Sequence, residues 1–98
     1  MNKKEIAVLF ASFFKQNKIN STIYYDGIRI QNSDFKNQEV GYYPSEILKE
    51  ADDYKITICL KQKMEADLFE KLLEFSKFIN CGFRNIGTNA FEIFTRFY

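Results

Sequence analysis

Histidine is absent from all 98 positions of the sequence. The chain therefore lacks the residue that most often serves as a general base, proton shuttle or metal ligand near neutral pH. A nucleophilic triad has no base, and zinc-type ligand spacing is missing because only two cysteines are present. The four glycines are dispersed singly, which excludes a glycine-rich phosphate-binding loop. The sequence predicts no enzyme: it contains no catalytic group, metal site, cofactor site or evident small-molecule site.

The chain also has few cysteines and almost no net charge. Cys59 and Cys81 are too few for a disulfide framework, so we expect free thiols in a reducing cytoplasm. The formal net charge of +1 gives no general attraction to nucleic acid or to a membrane. The apolar stretch 6–14 is too short to span a bilayer, and no small-residue cleavage site follows it. These features predict a cytoplasmic protein without a membrane partner.

The clearest local signal is Asp26-Gly27 between two short apolar runs. This dipeptide favours a type I′ turn, which needs positive φ at both central positions. A two-residue loop fixes the register of the hairpin. The predicted pairs are Tyr25 opposite Ile28, Tyr24 opposite Arg29, and Ile23 opposite Ile30. One face of this ribbon is therefore apolar, and Tyr24 meets Arg29 on the other.

Two segments have helical periodicity. The first begins at the cap residue Asn2, with Glu5 in capping-box position, and should end near Asn17. The second covers 63–80, and Gly82 supplies a left-handed stop. The apolar stripes predicted to face the core are Ile6, Leu9, Phe10, Phe13 and Phe14 in the first helix, and Met64, Leu68, Leu72, Phe75, Phe78 and Ile79 in the second.

The remaining segments predict strands and loops. Residues 54–61 alternate apolar and polar, which is typical of an antiparallel strand with one wet face. Residues 83–86 and 90–98 flank a turn at 87–89, and Pro44 can open a short helical turn after a polar loop. The sequence thus predicts a single α+β domain over 1–98, in the order α-β-β-(short α)-β-α-β-β. Its mostly antiparallel sheet should have about five strands, with both main helices on one face.

Aromatic residues are the main surplus, because they make up 17% of the chain and phenylalanine alone occurs 11 times. Phe69 and Leu73 lie off the main stripe of the second helix, and Phe94 and Tyr98 alternate outward if Phe91 and Ile93 face the core. These four side chains either pack internally or meet another protein chain. Aromatic rings are favoured interface anchors, so the sequence predicts a protein-interaction module with a protein partner or self-association through Phe69, Leu73, Phe94 and Tyr98.

The order of helices and hairpins is loosely similar to that of small phage tail-completion proteins and of some secretion chaperones. The missing catalytic groups and the surplus of aromatic residues predict an oligomeric adaptor, or an assembly or inhibitor protein of a phage or mobile element.

Two alternatives stay open at this stage. A single-stranded nucleic-acid platform would combine basic and stacking residues on the sheet face opposite the helices. Its candidate residues are Tyr24, Arg29, Lys55, Lys61 and Arg96. The other alternative is an enzyme built on Cys59 or on the acidic pairs Asp52-Asp53 and Glu70/Glu74. A nucleophilic Cys59 would need a depressed thiol pKa, for which Lys55 and Lys61 are neighbours.

Overall fold

The computed structural model describes residues 2–32, 55–87 and 89–94. It contains α1 (Lys3–Gln16), β1 (Ser21–Tyr25), β2 (Ile28–Asn32), β3 (Lys55–Leu60), α2 (Ala66–Phe78), β4 (Gly82–Asn85) and β5 (Ala90–Phe94). This α+β architecture and the order of its elements confirm the prediction. The short helical turn predicted at Pro44 and the polar loop before it lie outside the described residues. Within the described part, neither helix is long and apolar enough to cross a membrane.

All strands belong to one antiparallel sheet of five strands in the order β2-β1-β3-β5-β4. The β1–β2 ribbon turns at Asp26 (φ 48°) and Gly27 (φ 76°), so both central residues have the positive φ that the sequence predicts. The predicted register is also confirmed, since Tyr24 pairs with Arg29 and Ile23 with Ile30. Turn chemistry and hydrophobic pattern therefore agree in fixing this ribbon.

Helix α1 begins and ends where the sequence predicts. The Asn2 side chain accepts a hydrogen bond from the Glu5 backbone N–H at 2.9 Å, which satisfies one of the free donors of the first turn. At the other end Lys18 adopts φ 57°, and the Ile19 N–H donates to the Phe14 carbonyl at 2.9 Å. This six-to-one bond across a left-handed residue is a Schellman ending.

Helix α2 ends by the same device but at a different residue from the one predicted. Asn80 has φ 60°, and the Cys81 N–H donates to the Ser76 carbonyl at 2.8 Å. Asparagine tolerates the left-handed conformation better than most residues, so it terminates the helix two positions before Gly82. Gly82 begins β4 instead, opposite Phe94 of β5. The prediction of Gly82 as the stop is therefore wrong.

Both helices cover one face of the sheet, as predicted. Helix α1 packs on β1 and β2, and α2 packs on β4. Aromatic rings join the two halves of this core, because Phe10 and Phe14 each contact Phe91 and the Phe91 ring stacks on Phe83 at 4.8 Å. The side chains with the lowest exposure in this core are Phe10, Phe14, Ile23, Ile56, Ile58, Leu60, Leu72, Phe91 and Ile93.

Helix α2 is rotated relative to the stripe that its sequence predicts. Phe78, assigned to the core, is 85% exposed, whereas Ser76 is 1% exposed. The Ser76 hydroxyl donates to the Leu72 carbonyl at 2.8 Å, so this polar group is buried with its hydrogen bond satisfied. The true inward direction therefore passes through Leu72 and Ser76. Smaller departures are Leu9 and Ile28, both predicted to face the core and both exposed.

The centre of the opposite sheet face is shielded from solvent, although the alternation of apolar and polar residues in β3 predicts that it should be exposed. Thr57, Cys59 and Glu92 are all nearly inaccessible to solvent. Threonine and cysteine are small enough to be enclosed at low cost, and the Glu92 carboxylate lies 2.9 Å from the Lys55 ammonium. A paired carboxylate can be buried where an isolated one cannot, so alternation of residue type does not by itself reveal exposure here.

Candidate functional site

The candidate site is a groove between α1 and α2 on the side away from the sheet. Phe13 of α1 lines it together with Lys71, Glu74, Phe75 and Phe78 of α2, and its volume is about 400 Å³. We call these five residues the inter-helix groove. The groove exists because the two helices contact each other through their rings and leave the outer side between them unfilled.

Two stacked rings form the floor of the inter-helix groove. The Phe13 and Phe75 centroids are 4.8 Å apart with an interplanar angle of 26°. Beneath them the Phe10 ring meets Phe75 edge-on at 5.0 Å and 87°. Because Phe10 is fully buried, this contact anchors the floor to the core. A fixed floor reduces the ordering that a binding partner would otherwise have to impose.

Phe78 forms the projecting rim of the groove. It is the last residue of α2 and is 85% exposed, the highest exposure among the large hydrophobic residues that the structure describes. On α1, Val8 and Leu9 are also exposed, at 48% and 36%. Single exposed apolar residues are ordinary, but Phe78 is a large ring that lies beside an aromatic floor, and adjoining exposed apolar groups are a feature of interaction sites.

Charges of both signs accompany these rings. Lys71 and Glu74 line the groove, are exposed, and form no ion pair within the described ranges. Along α2 the spacing of Asp67, Lys71, Glu74 and Phe78 is four, three and four residues, which places all four on one side of a helix. We call these four residues the outward stripe. Its side chains remain available to a partner, because all four are exposed.

The four interface residues predicted from the sequence do not come together in this groove. Phe69 and Phe78 are nine positions apart, which on a helix places them on opposite sides. Phe69 is partly buried and meets Phe83 edge-on at 5.4 Å and 83°, and Leu73 and Phe94 are also partly buried. Tyr98 lies outside the described residues. Some of the apolar side chains that the sequence assigned to the surface are therefore packed within the chain.

Phe78 is the functional candidate that the sequence reasoning missed, although a signal for it exists. When Phe69 and Leu73 are included, the apolar arc of α2 spans about 220° and is centred near Leu72. Phe78 then falls at one edge of the arc and Leu73 at the other. The narrower stripe that leaves out Phe69 and Leu73 points the predicted inward direction toward Phe75 and Phe78.

Of the five predicted basic and aromatic residues, Tyr24, Arg29 and Lys55 occupy the other face of the sheet. Tyr24 is partly buried and lies between Arg29 on β2 and Thr57 on β3. Lys55 is ion-paired with Glu92, and the Nε of Arg84 lies 4.0 Å from the same carboxylate. Lys61 is partly buried, and Arg96 lies outside the described residues. Part of the positive charge on this face therefore neutralises a buried acid.

Cys59 has an environment that opposes nucleophilic chemistry. Its side chain is fully buried, and this burial raises the pKa of the thiol from 9.0 to about 11. Desolvation is the cause of this rise, because a thiolate is costly in an apolar surrounding. A raised thiol pKa is the opposite of what an activated Cys59 would need.

Metal ligands and known relatives add no further chemistry. Within 2–32, 55–87 and 89–94, no three His, Cys, Asp or Glu side chains are grouped so that they could hold a metal ion. No protein family, no curated protein and no solved structure matches the chain. The functional proposal is based on the inter-helix groove, with the exposed ring of Phe78 beside it.

Proposed function

We propose that the protein is a small non-enzymatic interaction module that binds a protein chain through the inter-helix groove. The observation that carries this proposal is the 85% exposure of Phe78 beside the stacked rings of Phe13 and Phe75. An oligomeric adaptor, or an assembly or inhibitor protein, would use such a surface.

The energetics favour this use of Phe78. Moving a phenylalanine side chain from water into an apolar contact contributes about 1.5–3 kcal/mol. In the isolated chain almost none of that free energy is gained, because the ring remains in solvent. A partner that covers the ring and the groove would gain it at a small cost in order, since Phe75 is already held by Phe10 and Phe13.

Protein binding is better supported than binding of single-stranded nucleic acid. A nucleic-acid platform needs unpaired positive charge to contact phosphates and exposed rings on which bases can stack. On the sheet face, Lys55 is ion-paired with Glu92 and the ring of Tyr24 is partly buried. The groove, in contrast, combines an exposed ring with a preformed apolar floor.

Site-specific photo-crosslinking tests the proposal, because it traps whichever chain lies against a chosen side chain. A benzophenone amino acid replaces Phe78 in the cells that produce the protein, and in a matched variant it replaces the neighbouring exposed residue Lys77. On α2 the two positions differ by about 100° in direction, so the matched variant reports random collisions. We expect discrete protein adducts from position 78 and not from position 77. Identical adduct patterns at both positions, or none at either, would contradict the proposal.

A further inference from the structure

We infer that the partner is a second copy of the chain, which packs its α2 antiparallel against the first through the outward stripe, whose residues Lys71, Glu74 and Phe78 also line the inter-helix groove. This inference rests on the proposed function, because it names the partner that covers Phe78. The arrangement is a two-fold dimer in which each subunit contributes the same residues, as most soluble homo-oligomers do.

The spacing of the outward stripe supports a two-fold axis. Asp67, Lys71, Glu74 and Phe78 are symmetric about a point midway between Lys71 and Glu74. If two α2 helices cross antiparallel at that point, Lys71 of each subunit lies opposite the partner's Glu74. Phe78 of each subunit then reaches the level of the partner's Asp67. A stripe whose spacing lacked this symmetry would leave some of its side chains with no stripe residue opposite them in the partner.

The central charges are complementary under this symmetry. Lys71 meets a carboxylate and Glu74 meets an ammonium, so the dimer gains two intermolecular ion pairs and no like-charge contact at its centre. An acidic or a basic partner would satisfy one of these residues and repel the other. The formal net charge of +1 on each chain adds little long-range repulsion between copies.

Each Phe78 also meets a depression of suitable position. A hollow beside the start of α2 has two apolar lining residues, Ile19 and Leu68, and its polar lining residues are Asn17, Gln62, Glu65, Asp67 and Lys71. Phe78 lies about 8 Å along the helix axis from the symmetry point, and the level of Asp67 and Leu68 lies nearly as far on the opposite side. The projecting ring and the apolar part of the hollow therefore lie at matching levels along the helix axis when the subunits are related by the two-fold axis.

The available area predicts a weak, reversible dimer. Helices α1 and α2 have 14 and 13 residues, so each is about 20 Å long. Two such helices side by side present a layer of about 20 by 20 Å. Total burial therefore falls at the low end of the range for specific interfaces, below about 1,200 Å². Association should depend on concentration and should weaken as salt screens the ion pairs.

Sedimentation velocity of the purified protein from about 10 µM to about 1 mM tests the dimer directly. We expect a monomer–dimer equilibrium that Phe78→Ala weakens about 100-fold, because two ring burials are lost. The charge reversals Lys71→Glu and Glu74→Lys should each weaken it about tenfold, and the double reversal should restore it. Glu70→Lys and Lys77→Glu are the matched controls, since they make the same charge changes outside the outward stripe.

Each other outcome overturns the inference. A monomer at every concentration excludes a second copy as occupant, as does a dimer unaffected by Phe78→Ala. Charge reversals whose double variant fails to recover exclude the antiparallel arrangement. If the protein is monomeric while position 78 crosslinks to a different protein, the inference fails but the interaction function stands. The proposed function fails only in the crosslinking experiment.

Discussion

The two helices are nearly equal in length and end in the same way, yet they contribute differently to the core. Helix α1 buries Ile6, Ala7, Phe10 and Phe14, whereas α2 buries only Leu72 and Ser76 within its helical residues. The remaining large apolar side chains of α2 are partly buried along its two sides, or exposed in the case of Phe78. A helix that spreads its apolar residues over a wide arc cannot bury them all against one sheet.

This difference shows which helix carries the aromatic side chains that the core does not bury. Helix α1 uses its phenylalanines to fill the interior, where Phe10 and Phe14 contact Phe91. Helix α2 instead directs Phe69 toward Phe83 on one side and Phe78 toward solvent on the other. The rings that fill the interior and the ring that remains exposed thus belong to different helices.

The largest expected effect separates a ring of α1 from a ring of α2. Phe10→Ala should reduce the free energy of unfolding by about 3–5 kcal/mol, because it leaves a cavity beneath three ring contacts. Phe78→Ala should change it by no more than about 0.5 kcal/mol, because the ring is already in solvent. Urea unfolding of both variants at low protein concentration measures the two values. A loss of about 2 kcal/mol or more in Phe78→Ala would show that the ring is packed.

A second prediction compares the two cysteines, Cys59 in the interior on β3 and Cys81 just after the end of α2. Burial raises the pKa of the Cys59 thiol from 9.0 to about 11, so between these values the unfolded thiol ionises while the folded one stays protonated. The native state then binds more protons, and stability should fall with rising pH by up to about 1.4 kcal/mol per pH unit. Burial also raises the pKa of the Cys81 thiol.

The measurement is the free energy of unfolding between pH 8 and 11 for the parent chain and for Cys59→Ala, with Cys81→Ala as the matched control. Cys59→Ala should show a shallower decline than the parent chain. The same slope in both would mean that Cys59 ionises as readily in the folded state as in the unfolded one.

The smallest effect concerns the shared helix ending. Lys18 and Asn80 both adopt left-handed conformations, but lysine has a larger steric cost there than asparagine. Lys18→Gly should therefore raise the free energy of unfolding by about 0.5–1 kcal/mol, and Asn80→Gly by only a few tenths. Thermal and urea unfolding can resolve this difference. A larger gain at Asn80 than at Lys18 would contradict the strain argument.

The sequence predicted most of the fold and little of the site. The ribbon at Asp26-Gly27, the cap at Asn2 and the order of elements follow from local rules, because turn geometry and capping involve residues only a few positions apart. The inward direction of α2 depends on which strands it packs against, and periodicity alone could not distinguish Phe78 from Phe69. The burial of Glu92 was equally inaccessible, since it depends on Lys55, 37 positions away in the chain.

The amino-acid sequence by itself determined that imidazole chemistry is absent, that rings are in surplus, and how the first hairpin pairs. The tertiary structure decided which rings the interior uses, which cysteine environment suppresses ionisation, and which residues line the groove between the helices. The physical reason is the distance along the chain over which the deciding interactions act. Turns and caps are set by neighbouring backbone groups, whereas exposure is set by how much of a helix surface the sheet can cover.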